Sequence, residues 1–333
     1  MRLYPLKFYE ILKPKIWGGR ALEAIVGKRL PEGRQIGESW ELVDHFDDVS
    51  VVRNGLLEGQ GLREIWRRDP KGVLGEALAG RKFKEFPLLV KFIDASDVLS
   101  VQVHPDEKYA EKHDARGESG KDETWYVMAA DKGAELIVGL REGLGRDEFK
   151  KAVKEGRVDE CLNRIRVKAG DVIHITAGTV HAIGKGIVVC EIQQTSDATY
   201  RLWDWGRVDE TGKPRPLHSE DALRVIDFDR GPVKALVPVE ESKEPVERLL
   251  LDRCEVYAIE RISGTAQFME RSEGGCFQIL VCTGGSGSIF ADGDRLAYSA
   301  GDTVLVPAAV GEVAVEPAEP TSFLKAYIPE VHR

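Results

Sequence analysis

The sequence predicts an all-β protein built from two related β-barrel units with small helical insertions. Three observations carry that prediction. First, short apolar or alternating segments recur through the chain: PLLVKFIDA, LSVQVHP, ETWYVMAA, AELIVGL, DVIHITA and GIVVCEIQQ. Turns rich in Gly, Asp and charge separate them, which is the pattern of an all-β sandwich or barrel. Second, strand-like segments resume after a charged stretch with three prolines, GPVKALVPVEESKEPVE: CEVYAIERI, CFQILVCTGG, GSIFADGD, DTVLVPAAV and SFLKAYIP follow. Third, KAGDVIHITAGTVHAIG and SAGDTVLVPAAVGEVAV share an Ala-Gly-Asp opening, a strand, and an alanine at the next turn. The expected organisation is an N-terminal unit over 1–235, a linker over 236–247 and a C-terminal unit over 248–333.

The helical insertions are few. GLREIWRRDP places Leu62, Ile65 and Trp66 at helical spacing and stops at Asp69-Pro70. RDEFKKAVKEG sets Phe149 and Val153 on one face. SEDALRVI offers Ser219 as N-cap before Ala222, Leu223 and Ile226. The polar stretch 105–120 reads as a short helix and loop between two strands.

Composition bounds the function. The chain has 333 residues, 42% of them hydrophobic, enough for a substantial core. Acidic residues outnumber basic ones, 56 to 47, for a net charge of -9, which argues against a nucleic-acid binder. An anionic substrate remains compatible, because a site needs only a few local cations. No apolar run approaches a membrane span, and the first residues lack the apolar core of a signal peptide, so a cytoplasmic protein is expected. Five cysteines, with no C-x-x-C pair, argue against a disulfide framework or a thiolate metal site. Cys276 and Cys282 in CFQILVC read as small buried hydrophobes on one strand face.

Several polar residues sit where strands should bury them. SVQVHP puts Gln102 and His104 two apart, hence on one face of a strand. KDETWYV repeats that spacing with Lys121 and Glu123, and AGTVHAIG puts His181 at a Gly-flanked turn. Two imidazoles, a carboxylate and an amide oxygen make a credible ligand set for a borderline divalent ion such as zinc. His104 capping a turn and Glu123 in a surface ion pair is the alternative. Lys91 interrupts an apolar strand. It either reaches a pocket or lies on an edge strand with its ammonium in water. Lys121 is either a site residue or half of a salt bridge. Arg201 either serves chemistry or stacks on neighbours such as Trp203 and Trp205. His174 reads as packed or pocket-lining, and His45, His113, His218 and His332 as surface residues. No phosphate-cradling glycine loop or nucleophile elbow is present.

Taken together, IWGGRAL, GESWELVDH, PLLVKFIDASDVLSVQVHPDE, GKDETWYVM, AGTVHAIGKGIVVCEIQQTSDATYRLWDWGR and GDTVLVPA resemble the type I mannose-6-phosphate isomerases, in their short bacterial and archaeal form. The resemblance spans nearly the whole chain in the same order. It implies a double-cupin fold and an enzyme interconverting mannose 6-phosphate and fructose 6-phosphate with one zinc ion per chain. By the same resemblance the metal ligands are Gln102, His104, Glu123 and His181. Arg201 is the catalytic arginine, Lys91 and Lys121 are active-site lysines, and Trp17 and Glu38 are pocket residues. Longer members carry K-P-E where this chain has Lys121-Asp122-Glu123, and they have a helical domain for which this chain has no room.

Isomerisation needs a base, and Lys121 qualifies if neighbouring cations depress its pKa. Glu191 is a further candidate if it faces the pocket. Arg207 and Lys185 are phosphate partners by charge and neighbourhood alone. The C-terminal unit is expected to be metal-free, since AAVGEVAV has no histidine where AGTVHAIG has His181. Partners other than the sugar phosphate are not expected, beyond a monomer or homodimer state. The alternatives are a cupin metal enzyme on another substrate, including an iron oxygenase, and a non-catalytic sugar-phosphate-binding cupin.

Overall fold

Alternation along one strand shows how the first barrel forms. In Leu88–Ala95 every residue is buried, yet the two faces differ. Leu88, Val90 and Phe92 join one apolar cluster, whereas Ile93 and Ala95 join another, and Lys91 shares the face of the second. The strand is therefore buried on both sides, between a barrel interior and a second sheet. The computed structural model describes residues 1–113, 117–208, 212–272 and 275–329. His332 lies outside them.

The first barrel closes two antiparallel sheets on each other. One has six strands in the order Val172–Ile175, Glu123–Ala130, Ile187–Gln194, Leu88–Ala95, Glu38–Leu42 and Ile11–Lys13. The other has five, in the order Leu162–Arg166, Glu135–Leu140, His181–Ala182, Val101–Val103 and Tyr200–Trp203. The second barrel pairs an eight-stranded sheet with a four-stranded one formed by Phe268–Arg271, Glu312–Pro317, Ser286–Ala291 and Asp294–Ser299. Its interior contains an apolar cluster that includes Leu280, Cys282, Ile289, Val304 and Phe323. The outer faces of the six- and eight-stranded sheets pack together through Val90, Phe92, Cys190 and Ile192 against Ile259, Ile279, Leu305 and Leu324.

The two Ala-Gly-Asp segments occupy corresponding places. Val172–Ile175 leads from the larger sheet through a turn to His181–Ala182 in the smaller one. Thr303–Val306 leads likewise to Glu312–Pro317. The position matching His181 in this frame is Glu312, which pairs with Arg271 at the surface. The buried polar groups of the second barrel instead form an ion network. Lys325 lies 2.7 Å from Glu270, and Glu270 lies 2.6 Å from Arg248.

Helices stand at Leu62–Arg68, Glu107–His113, Arg146–Lys154 and Ser219–Val225, as the pattern predicts. Ser219 is the first helical residue rather than the cap, which falls on His218. Asp69 ends one helix and caps the next, Pro70–Leu74, by accepting a hydrogen bond from the Gly72 N–H. No helix among the described residues is long and apolar enough to cross a membrane.

The chain does not divide as the sequence suggests. Strand Leu6–Tyr9 lies in the eight-stranded sheet, with Leu6 opposite Leu305, so N-terminal residues complete the C-terminal unit. The expected linker holds a strand of its own, Val239–Ser242. Its prolines and charges suit an edge strand, which needs fewer backbone donors. Cys276 and Cys282 also part company: Cys276 packs between the barrels and Cys282 inside the second.

Asp302 ties that seam. It accepts from Lys7 Nζ at 2.6 Å and from the Ser299 N–H at 2.8 Å, and it pairs with Arg53. Burial alone would raise its carboxyl, but Lys7 and Arg53 outweigh burial and hold it below the ordinary aspartate value. A depressed folded-state pKa stabilises the protein fully above the unfolded value, about 3.9. That stability is lost as pH falls through the lower folded value. Asp302→Asn should therefore cost roughly 1.5–3 kcal/mol near neutrality, the range for hydrogen bonds to charged groups. Urea titrations at several pH values should show the gap to the native protein closing below about pH 4.

Candidate metal centre and sugar-phosphate pocket

The six-stranded sheet supplies one row of inward side chains. Trp40, Lys91, Glu191 and Trp125 stand opposite one another on four adjacent strands. Trp125 Nε1 donates to Glu191 Oε2 at 2.8 Å, and Lys91 Nζ lies 3.3 Å from Glu191 Oε1. The Lys91 ammonium also sits 4.8 Å over the Trp40 ring. Trp40 Nε1 donates to Glu38 Oε2 at 2.6 Å, and Lys15 lies 3.0 Å from Glu38. Lys91 is thus a buried residue of an interior strand, which removes the edge-strand alternative.

The facing sheet supplies a second row. His181, Gln102 and Arg201 are in register on three neighbouring strands. His104 follows on the face of Gln102, and Glu123 enters from the six-stranded sheet beside Gln193. His104, Glu123 and His181 are completely or almost completely buried. Their potential ligand atoms lie within 4.8 Å of one another.

The hydrogen bonds of this trio settle the imidazole tautomers. His104 Nδ1 meets the Ala198 carbonyl at 2.7 Å, and His181 Nδ1 meets the Thr179 carbonyl at 2.9 Å. A carbonyl only accepts, so each Nδ1 carries a proton and each Nε2 is turned inward. Burial, reinforced by His104 close by, brings His181 down to about 3, so its ring is neutral and offers an Nε2 lone pair. The two Nε2 atoms lie 3.4 and 3.5 Å from the two Glu123 oxygens. His104 Nε2 and Glu123 Oε1 have no hydrogen-bond partner, and Glu123 Oε2 meets the Lys121 ammonium at 2.8 Å. Lone pairs facing a buried carboxylate leave polar atoms unsatisfied, and a divalent cation satisfies them all. The Gln102 amide lies 3.2 Å from His181 Nε2, and its oxygen and nitrogen exchange by a flip. The residues present therefore fit a cation with three or four ligands.

Gln102 and Lys121, which contact His181 and Glu123, also line a cavity of about 250 Å³. Five cations line it: Lys15, Lys91, Lys121, Arg201 and Arg215. Glu38, Glu191 and Asp197 supply the opposite charge, and Trp17 and Trp125 supply flat apolar surface. The positive excess suits an anionic group. Burial would raise Glu38, but Lys91 and Lys15 hold it down at about 2. Glu191 goes the other way. Burial and the nearby Glu123 charge push it above the usual carboxylate range.

Residues 6–151 match the model of the phosphomannose isomerase type I catalytic domain. A mannose-6-phosphate isomerase of Bacillus subtilis is 36% identical over 95% of this chain and 97% of its own. One from Streptococcus mutans is 37% identical over 91% and 92%. The chain belongs to the type I phosphomannose isomerase family. A crystal structure of mannose 6-phosphate isomerase from B. subtilis superposes with a TM-score of 0.89 at 29% identity, covering 98% of this chain and all of the other. A more distant mannose 6-phosphate isomerase, with a TM-score of 0.77 at 18% identity, was solved bound with zinc and yttrium; it covers 98% of this chain and all of its own.

In this phosphomannose isomerase the structure brings Trp17, Glu38, Lys91, Gln102, Lys121, Glu191 and Arg201 to one cavity. Arg207 is not among its lining residues: its guanidinium donates to Asp204 and to the Val98 carbonyl. Arg215 pairs with the same Asp204 and does reach the cavity. Lys185 is exposed and is not among the lining residues either. Arg201 donates to Ser100 Oγ and the Pro216 carbonyl, at 3.3 and 2.9 Å, and is in no ring contact with Trp203 or Trp205.

Lys121 reverses its expected shift. Burial would lower it, but Glu123 at 2.8 Å, with Glu191 and Asp197, raises it above the usual lysine value. Two histidines read as surface residues are structural. His45 is buried between Glu85 and Glu118, whose carboxylates overcome burial and raise it to about 9. His218 accepts from the Arg201 N–H at 3.1 Å and braces that strand. His174 is packed against Asp252 and Thr124. Sequence reasoning missed Lys15, Ser100, Asp197 and Arg215. Only Lys15, two residues before Trp17, carried a spacing signal.

Cation binding should be visible as stability. At one hundred times Kd, a divalent ion stabilises the folded state by about 2.7 kcal/mol. Thermal melts should rise with added metal in the native protein, and the rise should disappear in His181→Ala.

Proposed function

We propose that the protein interconverts mannose 6-phosphate and fructose 6-phosphate by proton transfer through an enediolate, with a zinc ion held by Gln102, His104, Glu123 and His181. The observation that carries this reading is the cluster of His104, Glu123 and His181, fully buried with their potential ligand atoms within 4.8 Å of one another, beside a cation-rich cavity that Gln102 and Lys121 line. The ligand set of two neutral imidazoles, one amide and one carboxylate leaves the ion a net positive charge. When bound, such an ion supplies Lewis-acid stabilisation of the oxygens that gain charge.

The chain's own residues do the rest. Arg201 and Arg215 provide fixed guanidinium donors for the anionic substrate and for charge that develops on it. Trp17 and Trp125 offer flat faces against the sugar and limit water. The reaction moves the C2 proton to C1 and the O2 hydroxyl proton to O1, so one site must both take and give. Glu191 is the group in the cavity poised for the carbon proton. Its carboxylate is fixed by Trp125, its other oxygen has no hydrogen-bond partner, and its raised pKa brings it towards the working range of a base. Lys121, with its raised pKa, enters as an ammonium and a donor to oxygen. Five cysteines without a disulfide suit a reducing compartment and hence the cytoplasm.

A coupled assay from mannose 6-phosphate to fructose 6-phosphate, before and after chelation, tests the reading. Turnover is expected in the loaded protein, and none after zinc is stripped. Full activity in metal-free protein would refute the zinc site. Glu191→Gln keeps an acceptor for Trp125 and should lower kcat by roughly 10²–10⁴ with the fold intact. Arg201→Ala should lower kcat roughly 10²–10³-fold with little change in melting temperature. A pure stacking or bracing role would instead lower stability and spare kcat.

A further inference from the structure

The three buried ligands come from distant parts of the sequence, yet their backbones meet at one turn. That turn, 177–179, joins Val172–Ile175 to His181. The Gly178 N–H donates to the His104 carbonyl at 2.9 Å. The Thr179 carbonyl accepts from His181 Nδ1. The Ala177 N–H donates to Asp122 Oδ1 at 2.6 Å, and Asp122 is the neighbour of Glu123. One short turn thus touches the segment of each ligand.

Asp122 is itself held on the strand side. Its N–H donates to Gln194 Oε1 at 2.9 Å, and its carbonyl accepts from the Gln194 N–H at 3.1 Å. Its side chain therefore projects from a fixed base. The turn has little freedom to adapt. Gly178 has φ +83°, and a Cβ there would lie 3.0 Å from the Val225 carbonyl oxygen. On the outer side, Arg230 donates to the Ala177 carbonyl and to Thr179 Oγ1, at 3.1 and 2.8 Å.

We infer that Asp122 is a positioning residue for the metal centre: its carboxylate staples the 177–179 turn to the Glu123 strand and so fixes Glu123 relative to His181. It touches neither substrate nor metal. Its function is a distance, and it resembles the partners that orient ligands elsewhere, whose loss costs 10–100-fold in metal affinity. The inference rests on the reading that His104, Glu123 and His181 bind a divalent ion. Zinc binding by the native chain is the control that separates failure of that reading from failure of this one.

A placement role and a charge role predict opposite orders among three variants. Asp122→Asn keeps an oxygen at the same reach without the charge. Asp122→Glu keeps the charge but moves the oxygen by one methylene. Asp122→Ala removes both. Zinc affinity would be measured by competition with a chromophoric chelator, and ligand geometry by the visible bands of the cobalt-substituted protein. The expected result is near-native affinity and bands for Asp122→Asn. Asp122→Ala and Asp122→Glu should bind zinc 10–100-fold more weakly, with shifted cobalt bands. Native affinity in a folded Asp122→Ala protein would overturn the inference. So would a native-like Asp122→Glu beside a weakened Asp122→Asn. If Asp122→Ala fails to fold, the Asn and Glu pair decides alone.

Discussion

A carboxylate without access to water sits at the centre of this molecule, and most of the first barrel answers to it. An ionised group of that kind is tolerated only with compensating charge and hydrogen bonds. Glu123 Oε2 has Lys121 at 2.8 Å, but Oε1 has no hydrogen-bond partner. The neutral His181 cannot supply one, because its one proton is committed to the Thr179 carbonyl on the far side. The fold has arranged donors of electron pairs around a negative charge. That arrangement is costly for the protein alone and favourable around a cation, so the same atoms that weaken the apo barrel give it affinity.

The two sheets divide the labour. The smaller sheet contributes His181, Gln102 and Arg201 from one cross-strand row. The larger contributes Lys91, Glu191 and Trp125 from another, and Glu123 from two positions along. Residues in a row share a level across the sheet, so each set is placed by register rather than by long flexible arms. Interleaved charges then keep the cavity from becoming a uniformly positive hole. Lys91 is matched to Glu191, Lys15 to Glu38, Lys121 to Glu123 and Arg215 to Asp204, which leaves Arg201 as the least compensated cation among the described residues that line the cavity.

Much of this was legible because β-structure has period two. Gln102 with His104, and Lys121 with Glu123, announce inward polar pairs in otherwise apolar strands. His181 announces itself at a glycine-bounded turn. What escaped has equally physical causes. Arg215 and Asp197 lie outside the alternating strands, where no period constrains a side chain. Arg207 and Arg215 both belong to the cluster around Asp204, and only the closed fold decides which one faces the cavity. His45 looked solvated because its neighbours are charged, but two of the carboxylates that bury it come from residues 85 and 118. The sign of the Lys121 shift needed the same long-range information. Glu123 was foreseeable two residues along on the same strand face, whereas Glu191 and Asp197 join it only in space. Domain boundaries failed for a related reason, since proline and charge mark an edge strand as readily as a linker.

The strand Leu6–Tyr9 has a consequence for how the chain acquires its shape. It lies between Thr303–Val306 and Val51–Val52, so residues made near the start of synthesis wait for partners made near its end. Ordering a loop of that length costs conformational entropy before any contact repays it, and folding slows as contacts become less local. Until Leu305 emerges, Leu6 lacks its cross-strand partner, and only the short strand Val51–Val52 can pair with Phe8 and Tyr9. A nascent chain of this protein therefore carries a strand with one edge open until Thr303–Val306 has been made.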